Sequence, residues 1–293
     1  MAASEAITRR AEALAEAVLL ERRPRKRMLV IVNPYATTVS ERLKSLVVYA
    51  LRGRYEVDAV ETRARDHATE ICAEAARERY DVVVAFGGDG TANEAANGLA
   101  GSRTPLTCLP GGATNVFCRT LGIPGDVVDA TEHLLGLADA FEPRRVDLGT
   151  VDGRHFVFAS GAGLDASVVE RVDRHPRTKS RLGEWYFTYA AISTFTRRYL
   201  VRPPLVRVEA GGRTVEGVTL VVQNSDPFTF FGERPIRVCE GAGLGTGAVA
   251  ATVLERASPV DIPTVLARVF SGSAQTVSRH RRIASLGAVS EVR

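Results

Sequence analysis

No stretch of this chain approaches the roughly 20 consecutive apolar residues that a membrane-crossing helix needs. A secretory leader is not expected either, because Glu5, Arg9 and Arg10 interrupt the alanine-rich N-terminus. Cysteine is scarce: Cys72, Cys108, Cys118 and Cys239 form no CxxC pair and no zinc-type spacing. A disulfide framework and a zinc module are thereby set aside, and a reduced, cytoplasmic protein is the expectation, at most peripheral on the inner face of a membrane. The five histidines include no HExxH, and no serine sits in a GxSxG elbow, so zinc-protease and serine-hydrolase chemistry have nothing to stand on. Charge is nearly balanced. A net +4 suits an anionic partner such as a nucleotide or an acidic lipid surface, and no nucleic acid is expected.

What is present is a long chain of ordinary globular composition, with 293 residues and 45% hydrophobic residues, for which two domains are the better expectation. Ser4 to Glu21 has high helix propensity with Ser4 as a cap, and the basic run Arg22-Arg23-Pro24-Arg25-Lys26-Arg27 follows it. Residues 1–27 are therefore read as a helical, basic extension. From Met28 the pattern alternates. Strands are expected at Met28–Val32, Tyr55–Val60, Asp81–Phe86 and Leu106–Leu109. Helices are expected at Ser40–Arg52, Asp66–Arg79 (capped by Asp66), from Thr91, and at Asp126–Leu137. Such alternation predicts an α/β domain over residues 28–145, a Rossmann-like parallel sheet with flanking helices. Beyond it, short β-type segments at Phe141–Thr150, Arg154–Ala159, Leu205–Glu209, Val215–Gln223, Ile236–Cys239 and Ala248–Leu254 predict a mainly β, sandwich-like domain over 146–293. Within it, Gly183 to Tyr199 reads as an aromatic-rich helical insert that serves as core or lines an acyl-chain pocket.

The chain is organised around Val82-Val83-Val84-Ala85-Phe86-Gly87-Gly88-Asp89-Gly90-Thr91. A strand buried on both faces stops in three glycines around one aspartate, and a helix follows. Glycines let backbone approach a ligand, and a helix N-terminus offers unpaired N–H groups and a positive dipole end, so this is a phosphate cradle. It is neither a GxGxxG fingerprint nor a Walker loop. Asp89 packs against little and is the candidate catalytic group, either organising Mg²⁺ on a nucleotide or orienting an attacking hydroxyl. A second strand–turn–helix unit, Pro110-Gly111-Gly112-Ala113-Thr114-Asn115, repeats the device. Parallel sheets bind ligands beyond the carboxyl ends of their strands, and Asn33, Thr62 and Gly87–Thr91 all fall at such ends. Gly161-Ala162-Gly163 and the Gly241–Gly247 run lack the strand-then-helix order and read as turn-rich connections. Arg197, Arg198, Arg202 and Arg279-His280-Arg281-Arg282 read as solvated basic faces that are also suited to headgroups or phosphate.

Asn33-Pro34, Thr62, Gly87-Gly88-Asp89-Gly90-Thr91-Ala92-Asn93-Glu94 and Pro110 to Arg119 together resemble the catalytic pattern of the diacylglycerol kinase family, which also includes the sphingosine kinases. Gly183-Glu184-Trp185-Tyr186 and Gln223 to Thr229 resemble its actinobacterial members. The resemblance implies ATP phosphates on Gly87, Gly88, Asp89, Gly90 and Thr91, with Asn33, Thr62, Asn93, Thr114 and Asn115 around the nucleotide. It also implies Mg²⁺ and a lipid alcohol as phosphoryl acceptor at a membrane surface; metal ligands and oligomeric state stay open. Two departures accompany it. Gly245 stands where bacterial members carry an acidic residue, and the chain ends at Ser290-Glu291-Val292-Arg293 without an Asp-Gly-Glu motif, in which the family places its general base. A shortened or catalytically weak nucleotide- or lipid-binding member, and an NAD-kinase-like enzyme with a soluble acceptor, are the alternatives.

Overall fold

A computed structural model of the chain describes residues 25–163 and 205–293, apart from positions 37, 139 and 141. The expected helices at Ser4–Glu21 and Gly183–Tyr199 lie outside the described residues, as do Arg197, Arg198 and Arg202.

The first half builds four parallel strands, β1 (Arg27–Val32), β2 (Glu56–Glu61), β3 (Val82–Gly87) and β4 (Leu106–Pro110), in the order β2-β1-β3-β4. Strand β3 lies inside the sheet and every one of its residues is buried, as its unbroken apolar run requires. Each valine or phenylalanine so buried stabilises the fold by about 1.5–3 kcal/mol relative to exposure. Helices α1 (Glu41–Leu51) and α5 (Val127–Gly136) pack together, as do α2 (His67–Arg77) and α3 (Asp89–Leu99); the short α4 (Val116–Thr120) follows β4. Ser40 caps α1 through Leu43 N–H, and Asp126 caps α5 through Val128 and Asp129 N–H, as their side-chain chemistry dictates. Asp66 departs from expectation. It takes a left-handed φ of 65°, makes no side-chain cap, and pairs with Arg154 instead. Helix α3 begins at Asp89, ahead of the expected Thr91, because Gly88 occupies the N-cap position.

The second half holds an antiparallel sheet of β7 (Ala159–Gly163), β10 (Thr219–Gln223), β13 (Val249–Leu254) and β14 (Ile283–Val289), in the order β14-β13-β10-β7. Three two-stranded ribbons accompany it: β5 (Gly149–Val151) with β6 (Arg154–Phe156), β8 (Val206–Ala210) with β9 (Arg213–Gly217), and β11 (Thr229–Phe231) with β12 (Arg234–Ile236). The two-domain α/β-then-mainly-β reading therefore holds. Gly161-Ala162-Gly163 is not a connection but most of β7, paired to Val221, Leu220 and Thr219 of β10. Lack of side chains does not prevent a glycine run from pairing when a neighbouring strand offers its backbone. Of the expected segment Phe141–Thr150, the described residues are strand only from Gly149, and Val215–Gln223 is two strands with a corner at Val218. Two helices, α6 (Asp261–Val269) and α7 (Ala274–Ser278), complete the C-terminal part, with Val265 of α6 packing on Val218 and Leu254.

Beside α6, the basic cluster is tied down. Arg281 and Arg282 both reach the buried Asp261, whose hydroxyl partner is Ser258. The Arg281 guanidinium, then Ser258, hold the Asp261 carboxyl down at about 2. A carboxylate with a folded pKa below its unfolded value near 4 adds stability that is complete above the unfolded value and is lost as pH falls toward the folded one. Asp261→Asn is therefore expected to remove pH dependence from the acid limb between about pH 5 and pH 2. Urea midpoints measured at steps through that window check it; an unchanged acid limb would count against the assignment.

The two halves are joined by side-chain amides. Asn93 and Asn97, one turn apart on α3, face the backbone of the β6 strand. Asn97 Oδ1 accepts His155 N–H at 2.8 Å and its Nδ2 donates to His155 O at 2.8 Å. Asn93 Oδ1 accepts Val157 N–H at 2.9 Å, and its Nδ2 donates to the same carbonyl at 3.3 Å. The pair substitutes for a neighbouring strand. Asn97→Leu, which leaves the part-buried His155 N–H unmatched and its carbonyl with only the longer bond from Asn93, is expected to cost about 1–3 kcal/mol, read as a lowered urea midpoint.

Candidate active site

The register of the parallel sheet sets the site. Val32 lies opposite Glu61 on one side and Phe86 on the other, and Gly87 lies opposite Pro110. The next residues, Thr62, Asn33 and the two glycine turns, therefore stand in a row along the carboxyl edge. Asn33 N–H bonds to Phe86 O at 3.0 Å, and the buried Thr62 sends its N–H to Val32 O at 2.9 Å. Asn33 Nδ2 donates to Thr91 Oγ1 at 3.1 Å, tying the end of β1 to the first turn of α3. A Cβ on Gly87 would come within 2.6 Å of that same hydroxyl, so the bond and the glycine require each other.

The two turns lie backbone on backbone. Gly111 N–H bonds to Gly87 O at 2.9 Å. A Cβ on Gly111 would sit 2.9 Å from Gly87 Cα, and one on Gly112 would sit 2.9 Å from Gly88 Cα. Glycine is needed at both places for close approach. Asn115 buckles the second turn: at φ 49°, its Oδ1 accepts Gly112 N–H at 2.8 Å while its Nδ2 donates to Gly112 O at 2.7 Å. Asp89, the first residue of α3, accepts Phe117 N–H on Oδ1 at 3.0 Å. One carboxylate thus holds the start of α4 to the start of α3. The first-turn N–H groups of a helix have no acceptor within the helix, so the α3 terminus beside these turns is suited to an anion.

Of the residues singled out from sequence, Asn33, Thr62, Gly87, Gly88, Asp89, Gly90, Thr91, Thr114 and Asn115 fall along this edge. Thr114 is partly exposed in the second turn. Asn93 is directed elsewhere: its amide is engaged by β6. One contributor had no functional signal beyond its place in the motif. Arg119 on α4 crosses to the β11–β12 ribbon, donating to Gly232 O at 2.8 Å and to Glu233 at 3.1 Å, with its guanidinium 3.8 Å from the Phe230 ring centroid. Phe117 meets Phe158 edge to face at 6.0 Å. The second domain is thereby anchored to the helix that follows the second turn. A cavity of about 220 Å³ lies elsewhere, between α1 and β2, and its Lys44 is already paired with Glu41 and Glu61.

Comparison with known proteins agrees with this geometry. Residues 27–151 match the model of the diacylglycerol kinase catalytic domain. The chain is 32% identical over 200 residues to a diacylglycerol kinase of Bacillus subtilis, across 66% of this chain and 62% of that protein. It is 30% identical over 203 residues to a diacylglycerol kinase of Staphylococcus aureus, across 67% and 61% of the two chains. These matches span about three-fifths of the relatives' own length. In fold it is similar to crystal structures from Bacillus anthracis. One is of a candidate diacylglycerol kinase, with TM-score 0.69, 24% identity, and coverage of 93% of this chain and 88% of that one. The other is of a diacylglycerol kinase, with TM-score 0.67, 22% identity, and coverage of 90% and 85%. Residues 27–151, which carry both glycine turns and Asp89, are thus the part of the chain that is similar to the diacylglycerol kinase catalytic domain.

Proposed function

We propose that this chain is an ATP- and Mg²⁺-dependent lipid kinase that transfers the γ-phosphoryl group to the hydroxyl of diacylglycerol or a related lipid alcohol. The observation that carries the reading is the pair of glycine turns packed backbone on backbone at the carboxyl edge, with Asp89 at the head of α3. Phosphoryl transfer asks a protein mainly for positioning and charge stabilisation, and this edge is built for both. Gly88 and Gly90 leave backbone open to phosphate oxygens, the α3 dipole favours their charge, and the Asn33–Thr91 bond fixes the turn.

Mg²⁺, when bound, would neutralise charge developing on the phosphates. It is held by one or two carboxylates plus substrate phosphates rather than by an all-protein cage. The residues fit that habit. Asp89, the single carboxylate at the head of α3, stands beside the turn. Asp89 is the residue that would hold the ion.

The lipid would be met at a membrane surface by a peripheral protein; no helix among the described residues is long and apolar enough to cross a membrane. Phe231 and Phe270 favour such a contact. They meet edge to face at 5.5 Å and remain 36% and 45% exposed, Phe231 on the ribbon that Arg119 grips and Phe270 at the C-terminal end of α6. The test is transfer of label from γ-labelled ATP, offered vesicles carrying diacylglycerol, vesicles carrying a sphingoid base, or soluble NAD. Labelled phosphatidic acid is the expected product. Label on NAD alone would replace the lipid reading, and no transfer to any acceptor at saturating ATP would overturn the kinase reading.

A further inference from the structure

Cys108 lies on β4 and Cys118 on α4, and between them in sequence runs the whole second glycine turn. Their Sγ atoms are 2.7 Å apart, and each residue is only 2% exposed. The remaining two cysteines are not so placed: Cys72 lies under Gly98 where α2 and α3 cross, and Cys239 faces Val221 O. Two thiols already facing each other across the base of a turn need little backbone movement to join.

We propose that Cys108 and Cys118 form a reversible disulfide, a redox modification site that staples the second glycine turn at its base. With hydrogen peroxide as oxidant, one thiolate attacks a peroxide oxygen, the O–O bond breaks, and a sulfenic acid forms as water leaves. The second thiolate then displaces hydroxide from that sulfur, the S–S bond forms, and a second water carries off the remaining proton. Two thiols and one peroxide thus give one disulfide and two waters, and a dithiol reductant reverses the change. Burial pushes the Cys108 thiol up and withholds its thiolate, so the resting pair reacts slowly. Peroxide gains access when the turn lifts from Gly87 and Gly88. The cross-link itself is independent of the kinase reading; its protection by nucleotide rests on that reading.

The full chain is treated with hydrogen peroxide, alkylated and digested with trypsin. Residues 104–119, bounded by Arg103 and Arg119, then contain both cysteines in one peptide. The expected result is that peptide unalkylated and about 2 Da lighter than its dithiol form, restored to two alkylated thiols after dithiothreitol, with Cys72 and Cys239 still free. The cross-linked protein is expected to melt several degrees higher, because the bond closes a ring around the turn. Cys118→Ala and Cys108→Ser, as independent variants, remove both effects. Sulfinic acid at either position, or intact thiols there after Cys72 and Cys239 have reacted, overturns the proposal. In a parallel arm, ATP with Mg²⁺ at about ten times its dissociation constant is expected to slow cross-linking about tenfold. A cross-link that forms equally fast with ATP leaves the disulfide standing and counts against nucleotide on this turn.

Discussion

Asp89→Asn is expected to lower phosphoryl transfer by about 10²–10⁴-fold while shifting the melting temperature little. The substitution separates the structural duty of this carboxylate from its proposed catalytic one. Its Oδ1 accepts the Phe117 N–H at 3.0 Å, which an asparagine oxygen can also do. Its charge, by contrast, is lost, and with it any hold on a cation at the phosphates. Asp89→Ala removes both, so α4 additionally loses an anchor equivalent to a helix cap, at about 1 kcal/mol. The comparison is made by measuring kcat with saturating ATP and acceptor alongside thermal melts of all three proteins. A wild-type rate in the asparagine variant would refute the catalytic role. A large melting shift in it would mean that the carboxylate serves the fold alone.

Gly111→Ala is expected to lower stability by about 2–3 kcal/mol. Its Cβ would sit 2.9 Å from Gly87 Cα and 2.9 Å from Val39 Cγ2. Backbone cannot move aside as a flexible side chain can, so the turns must separate and the Gly111 N–H to Gly87 O bond must stretch. Gly90→Ala is the informative contrast. Nothing lies within 4 Å of the position its Cβ would take, and alanine suits a helix better than glycine by about 1 kcal/mol. The protein is therefore expected to be as stable or slightly more so, yet to bind ATP more weakly, because the added methyl occupies the approach to the phosphates. Urea unfolding and calorimetric titration with ATP separate the two cases. Equal ATP affinity in Gly90→Ala and the unsubstituted protein would place the phosphates elsewhere.

What could be read from the sequence follows from how local its causes are. The β3 run, the glycines that end it and the helix that follows are contiguous, so strand, turn and helix were legible, as was the second turn. Asn33 and Thr62 could be placed because strand ends in a parallel sheet fall on one edge. Contacts between distant segments left no such trace. The amides of Asn93 and Asn97 are spaced for one helix face, but nothing in the chain says that β6 backbone fills that face. Arg119 reaches Gly232, and Asp66 gives up capping for Arg154, across separations that only folding closes. Helix α6 has no counterpart among the helices expected from the sequence; its Pro263 falls in the first turn, where a missing N–H costs nothing. Gly161–Gly163 was misread because pairing of its backbone depends on β10, not on its own composition.

The backbone contact between the two turns has a consequence for anyone who would re-engineer this chain. Gly87 and Gly88 have their spatial complement in Gly111 and Gly112, which lie beyond an entire helix and another strand. Neither turn can be transplanted, lengthened or randomised alone, since the surface that moulds each one is the other. A library or a graft must carry β3 through α4 as one cassette, in which the positions to be varied together are set by proximity in space and not by order in the chain.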